Sequence, residues 1–78
     1  MKRIQVLGPG CPKCEMLARL SKKAAEELGL EYKLEEVRDI NAILRFRVMM
    51  TPALVVNGKV KAVGRVPSLE ELKKLLRD

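Results

Sequence analysis

An α/β fold in the order βαβαββα, with four strands in one mixed sheet and helices on both faces, is what the 78-residue sequence predicts. Three observations lead there. Over the first half an apolar run, a long amphipathic segment and an alternating segment follow one another, the order of a βαβ unit. In the second half two short strand-like runs meet at Asn57-Gly58, a hairpin signal. A leucine-striped segment with its own start signal then closes the chain. No internal repeat, low-complexity tract or linker interrupts this order, so residues 1–78 are expected to form one domain, near the lower size limit for a stable single core.

Arg3 to Leu7 reads as the first strand, with Ile4 and Val6 on one face and Gln5 and Leu7 on the other. From Pro12 to Leu28, apolar or small residues at Cys14, Leu17, Ala18, Ser21, Ala24, Ala25 and Leu28 keep the spacing of one helix face, and Gly29 ends the helix as a left-handed cap. Glu31 to Val37 alternates Tyr32 and Leu34 against Lys33 and Glu35, a half-buried strand whose charges suit a sheet edge. A right-handed crossover makes the first two strands parallel neighbours. The junction after Leu7 then lies at the carboxyl end of the first strand, where open α/β sheets place their chemistry.

Asp39 is placed to cap a short helix from Ile40 to about Arg47, whose Ile43, Leu44 and Phe46 need cover. Ala53 to Val56 is continuously apolar, as in a strand covered on both sides. Asn57-Gly58 supplies the two positive-φ residues of a type I′ turn, and Lys59 to Val63 returns antiparallel, with Val60 and Ala62 inward and Lys59 and Lys61 outward. Lysines on an outer strand discourage edge-to-edge pairing. Ser68 and Glu71 form a capping box for the last helix, which carries Leu69, Leu72, Leu75 and Leu76 on one stripe. The two apolar strands are thus central and the two charged ones lie at the edges.

Composition excludes several functions. The net charge is +6, but the basic residues are scattered as Lys2-Arg3, Lys22-Lys23, Arg45 with Arg47, and Lys73-Lys74, and no aromatic pair stands ready to stack on bases. The charge therefore reads as a solvated surface, not as a nucleic-acid site. The apolar run after Lys2-Arg3 is too short for a signal-peptide core, and no stretch approaches membrane-spanning length. A cytoplasmic protein without membrane association is expected. Its two cysteines, Cys11 and Cys14, form a C-x-x-C that in a reducing compartment points to redox chemistry or metal binding more than to a structural staple.

The surrounding residues, Gly8-Pro9-Gly10-Cys11-Pro12-Lys13-Cys14, define that chemistry. Pro9 and Gly10 break the strand, Cys11 takes the helix N-cap, and Pro12 fits the first helical position, where its missing N–H does no harm. Free amides of the first turn, the helix dipole and the Lys13 ammonium all favour a thiolate on Cys11, the candidate nucleophile. One turn on, Cys14 starts the apolar face and should be the buried, resolving thiol. Glu15, next to Cys14, is expected in solvent on the first turn. Met49 and Met50 are either core filling or an adaptable apolar rim around the thiols.

The first strand with Cys11-Pro12-Lys13-Cys14, the Thr51-Pro52 before a hairpin and the final helix together resemble the thioredoxin superfamily in its minimal, glutaredoxin-sized form, over the whole chain. More narrowly, Val6 to Cys14 together with Met50 to Val56 is similar to the small thioredoxin-like redox-active disulfide proteins of archaea and some bacteria. The resemblance implies a minimal thioredoxin fold and a protein-disulfide reductase in which Cys11 attacks and Cys14 resolves. It implies no cofactor beyond the redox-active disulfide Cys11-Cys14, disulfide-containing proteins as substrates, recycling by a thioredoxin-reductase-like flavoenzyme, and a monomer. It further implies that Pro52 is cis and packs against the disulfide, although an X-Pro bond taken alone favours trans. Thr51 would pair with substrate backbone like an added strand, with Gly10, Met50 and Gly64 also at the substrate site and Pro12 and Lys13 in support.

Two departures bear on mechanism. Thioredoxins carry a tryptophan before the first cysteine and a buried acid six positions ahead of it, where this chain has Gly10 and Gln5, so no proton acceptor for Cys14 is evident. Glutaredoxins show a glycine pair followed by an acid beyond the last strand, whereas Gly64 is single and followed by Arg65, which argues against glutathione binding. Two rival functions remain at this level. A Cu or Zn carrier also uses C-x-x-C, but such ferredoxin-like chaperones end on a strand, and this chain lacks a histidine or third cysteine. A non-catalytic interaction module would use the methionine rim alone.

Overall fold

In the computed structural model, which describes residues 1–77, the elements are β1 (Lys2–Leu7), α1 (Pro12–Glu27), β2 (Tyr32–Val37), α2 (Ile40–Arg45), β3 (Ala53–Val56), β4 (Lys59–Val63) and α3 (Leu69–Arg77). They form one four-stranded sheet in the order β2-β1-β3-β4. β1 runs parallel to β2, from Lys2 opposite Tyr32 to Leu7 opposite Val37, and antiparallel to β3, from Ile4 opposite Val56 to Leu7 opposite Ala53. The apolar strands are central and the charged ones at the edges, because only the central pair has both faces covered. This is the minimal thioredoxin α/β arrangement.

The alternation within β1 divides the core. Ile4 and Val6 pack with Leu17, Leu54, Leu72 and Leu76 beneath α1 and α3. Leu7 faces the other way and packs with Ile43, Val48, Ala53 and Val55 beneath α2. α1 is closed by Gly29 at φ 67°, with the Gly29 N–H donating to Glu26 O (3.1 Å) and the Leu30 N–H to Ala25 O (3.0 Å). That is a Schellman motif, and it satisfies two orphan carbonyls. Asn57 and Gly58 have φ 51° and 82°, the type I′ geometry expected of the hairpin.

Local details depart from expectation at three places. α2 stops at Arg45, about two residues early, because Phe46 serves as its C-cap and Arg47 turns the chain at φ 60°. Asp39 stands at the N-cap of α2 but its side chain makes no capping bond, and Leu44 is 61% exposed. In β4, Leu54 pairs with Ala62 but Val55 pairs with Val60, so Lys61 is an extra, bulged residue. A bulge sets two residues against one and reverses the side-chain alternation beyond it. Ala62 therefore enters the α1/α3 core, while Val60 turns to the α2 side and stays 40% exposed.

The capping box of α3 is half formed. The Glu71 N–H donates to Ser68 Oγ at 3.2 Å, but the Glu71 carboxylate takes both arms of the Arg65 guanidinium instead of returning to the backbone. That pair holds the Glu71 carboxyl below its ordinary value and raises Arg65. Among the described residues no helix is long and apolar enough to cross a membrane.

Candidate active site

The carboxyl end of β1 runs straight into the cysteine loop. The Gly8 N–H donates to Val37 O (3.0 Å), extending the pairing with β2 by one residue. Gly10 then turns the chain at φ 95° into Cys11, which sits at the N-cap of α1 with φ −69° and ψ 164°. Pro12 opens the helix, and the Glu15 N–H donates to Cys11 O (3.0 Å). The Cys14 N–H donates to Cys11 Sγ at 3.2 Å, so an orphan amide of the first turn is aimed at the sulfur of the expected nucleophile.

Cys11 and Cys14 are joined in a disulfide with their Cα atoms 5.0 Å apart, inside the usual bridging range. The two sulfurs differ in access. Cys11 is half-buried, whereas Cys14 is 2% exposed on the inner face of α1. Lys13 and Glu15 both point to solvent.

The Thr51-Pro52 bond is cis, as the resemblance implies and the general preference for trans does not. Pro52 is buried, and its carbonyl accepts the Gly64 N–H at 2.8 Å, while Thr51 remains exposed. Gly8 brings this turn and the disulfide together. A Cβ on Gly8 would overlap Cys14 Sγ, and it would lie 3.2 Å from Cys14 Cβ and 3.7 Å from Thr51 Cβ. Gly64, at φ 73°, is covered by Met50, whose Cβ and Cε would each lie 3.2 Å from a Cβ placed there. Met50 is nonetheless 60% exposed and Met49 94%, so neither methionine fills the core.

Gln5, in the place of the family's buried acid, is 7% exposed and donates through Nε2 to Glu35 Oε1 at 2.7 Å. It opens onto a shallow groove of about 380 Å³ that Val37, Arg38, Ala42 and Phe46 also line. Among the described residues no three His, Cys, Asp or Glu side chains gather as a metal-binding group.

The expected site residues Gly10, Cys11, Pro12, Lys13 and Cys14 thus share one loop and helix start, with Thr51 brought to it through Gly8, and with Gly64, which carries Met50, bonded to the Pro52 carbonyl. Sequence reasoning gave no individual role to Gly8 and none to Arg38. The Arg38 guanidinium lies against Gly10, and the parallel register that pairs Leu7 with Val37 was the available signal for it. Gly8 carried no signal beyond being a glycine at a strand end.

A family model for the thioredoxin domain matches residues 2–77. A thioredoxin of Methanothermobacter thermautotrophicus is 40% identical over 76 residues, covering 97% of this chain and 99% of its own length. A thioredoxin of Methanocaldococcus jannaschii is 38% identical over 74 residues, covering 95% of this chain and 85% of its own. A second Methanothermobacter thermautotrophicus protein, described as a probable thioredoxin, is 33% identical over 73 residues, 90% of this chain.

Proposed function

The chain belongs to the thioredoxin domain family and is a thiol-disulfide oxidoreductase whose redox group is its own Cys11-Cys14 pair, and we propose that it works as a dithiol reductant of protein disulfides. The observation that carries this direction of attack is the asymmetry of the pair: Cys11 half-exposed at a helix N-cap, Cys14 buried behind it. In the reduced protein the Cys11 thiolate forms a bond to one substrate sulfur and the other substrate sulfur leaves as a thiolate, which takes up a proton. Cys14, once deprotonated, attacks Cys11 Sγ, expels the second substrate thiolate and closes the bridge. Two electrons have then passed to the substrate, and an external reductase, a flavoenzyme in this reading, returns two.

Thr51 is proposed to hold the substrate backbone, because it is exposed and precedes β3 outside its ladder. Met50, Gly64 and Gly10 form the surface around the scissile sulfurs. The Cys14 N–H, the dipole of α1 and Lys13 stabilise the attacking thiolate. A cytoplasmic, monomeric protein fits this reading, which uses no glutathione.

Equilibration in thiol-disulfide buffers of graded potential, with alkylatable cysteines counted by mass, tests the proposal. The expected result is one reversible two-electron couple between about −270 and −200 mV, the span of thioredoxins and glutaredoxins. Failure to form the intramolecular bridge would sink the proposal and bring Cu(I) or Zn(II) titration forward. The electrostatic part has its own check. Lys13→Glu is expected to slow alkylation of Cys11 near neutral pH by about threefold, since it puts a negative charge beside the thiolate. An unchanged profile of alkylation rate against pH would remove Lys13 from the account.

A further inference from the structure

We propose that Arg38 is a specificity-determining residue, its guanidinium receiving a carboxylate side chain that flanks the disulfide of the protein substrate. The proposal rests on the reading of the chain as a reductant of protein disulfides. Arg38 follows the last residue of β2, and the parallel register of Leu7 with Val37, fixed further by the Gly8 N–H bond to Val37 O, brings it to the same sheet end as the cysteine loop. Its guanidinium packs on the residue before the nucleophile: a Cβ on Gly10 would lie 3.5 Å from Cζ and Nη1 and 3.7 Å from Nε.

The guanidinium is held there without a strong partner of its own. Its one hydrogen bond among the described residues runs from Nη2 to Glu36 Oε1, long at 3.4 Å, with the two side chains 58% and 39% exposed. Nε and Nη1 have no hydrogen-bond partner among the described residues. These two donors are one edge of the guanidinium fork, which matches a carboxylate bidentately. Asp39, the next residue in the chain, is exposed, yet among the described residues no ion pair joins it to Arg38. The exposed Lys13, in the first turn of α1 after Cys11, adds positive charge beside the nucleophile that attracts an acidic segment.

Strand order sets which side of the substrate is read. β2 and β3 flank β1 on opposite sides, so Arg38, after β2, and Thr51, before β3, stand on opposite sides of the Gly8 to Cys11 loop. A chain held at Thr51 and attacked at Cys11 carries its next residues toward Arg38. A neutral side chain there makes no use of the free edge, and a basic one is repelled.

The test uses the full chain, fully reduced and desalted, in single-turnover reactions with two cyclic nonapeptide disulfides that differ only in Glu or Ala beside one cysteine. The readout is the ratio of second-order rate constants, Glu peptide over Ala peptide. Arg38→Ala is expected to lower this ratio by about fivefold, the upper range for an exposed bidentate pair, with the effect in the apparent binding constant and not in the limiting rate. Arg38→Lys, which keeps the charge but loses the fork, is expected to restore only part of it. A ratio unchanged in Arg38→Ala, with both peptides slowed alike or neither slowed, overturns the assignment. Wild-type protein that reduces neither peptide overturns the reductant reading and this proposal with it.

Discussion

Cys11→Ser is expected to abolish disulfide reduction, and Cys14→Ser to stop the same reaction halfway, with the protein covalently joined to its substrate. The difference follows from access. Cys11 is half-buried at the N-cap, with the Cys14 N–H pointing at its sulfur, while Cys14 is 2% exposed behind it. Without the Cys11 sulfur no mixed disulfide forms, and a serine hydroxyl at the same N-cap has no comparable nucleophilicity toward sulfur, so turnover should fall on the order of a thousandfold or more. Without Cys14, attack proceeds but the intermediate lacks its resolving thiol and persists until another thiol intrudes. Non-reducing electrophoresis and intact mass, after mixing each variant with a protein disulfide, distinguish the cases. An adduct on Cys14 in the Cys11→Ser variant, of the same yield as that on Cys11 in Cys14→Ser, would mean that the order of attack is not set by access.

Much of this architecture was legible because strong local signals agreed with one another. The alternation in β1, the helical spacing from Cys14 to Ala25, the glycine after α1 and the Asn57-Gly58 turn all specify the same topology, and each found its expected place. The cysteine motif was legible for the same reason: proline after Cys11 and a broken strand before it leave few positions open to the thiols. What escaped was information held between elements. The bulge at Lys61 lies in the register of β4 against β3, which neither strand's own pattern records, and an ideal alternation places Val60 on the wrong face. The Glu71 carboxylate had two partners within reach, and the doubly bonded Arg65 won over a backbone amide. Arg38 became part of the site only through its register with β1, and Gly8 only through what touches it.

Gly8→Ala is expected to weaken the oxidised protein selectively. Gly8 does not owe its identity to backbone conformation, since its φ lies outside the left-handed region that Gly10, Gly29, Gly58 and Gly64 occupy. Space is the constraint: a methyl group there would overlap Cys14 Sγ and approach Cys14 Cβ to 3.2 Å. In the bridged protein that sulfur is tied to Cys11 and cannot swing aside, so either the end of β1 or the first turn of α1 must move. The parallel bond from the Gly8 N–H to Val37 O resists the first movement, and the buried side chains of Cys14 and Leu17 resist the second. Overpacking of this kind costs about 1–3 kcal/mol. In the dithiol the Cys14 side chain regains rotation about its Cα–Cβ bond and relieves part of the overlap. The oxidised form should therefore lose more thermal stability than the reduced form. By linkage, the Cys11-Cys14 couple should become more oxidising, by roughly 20 mV for each 1 kcal/mol of difference. Melting curves of both redox forms and a potential titration of the variant read the two sides of this cycle independently. Equal losses in the two forms would show that the methyl group strains the backbone and not the sulfur, and no loss in either would show that the loop relaxes around it.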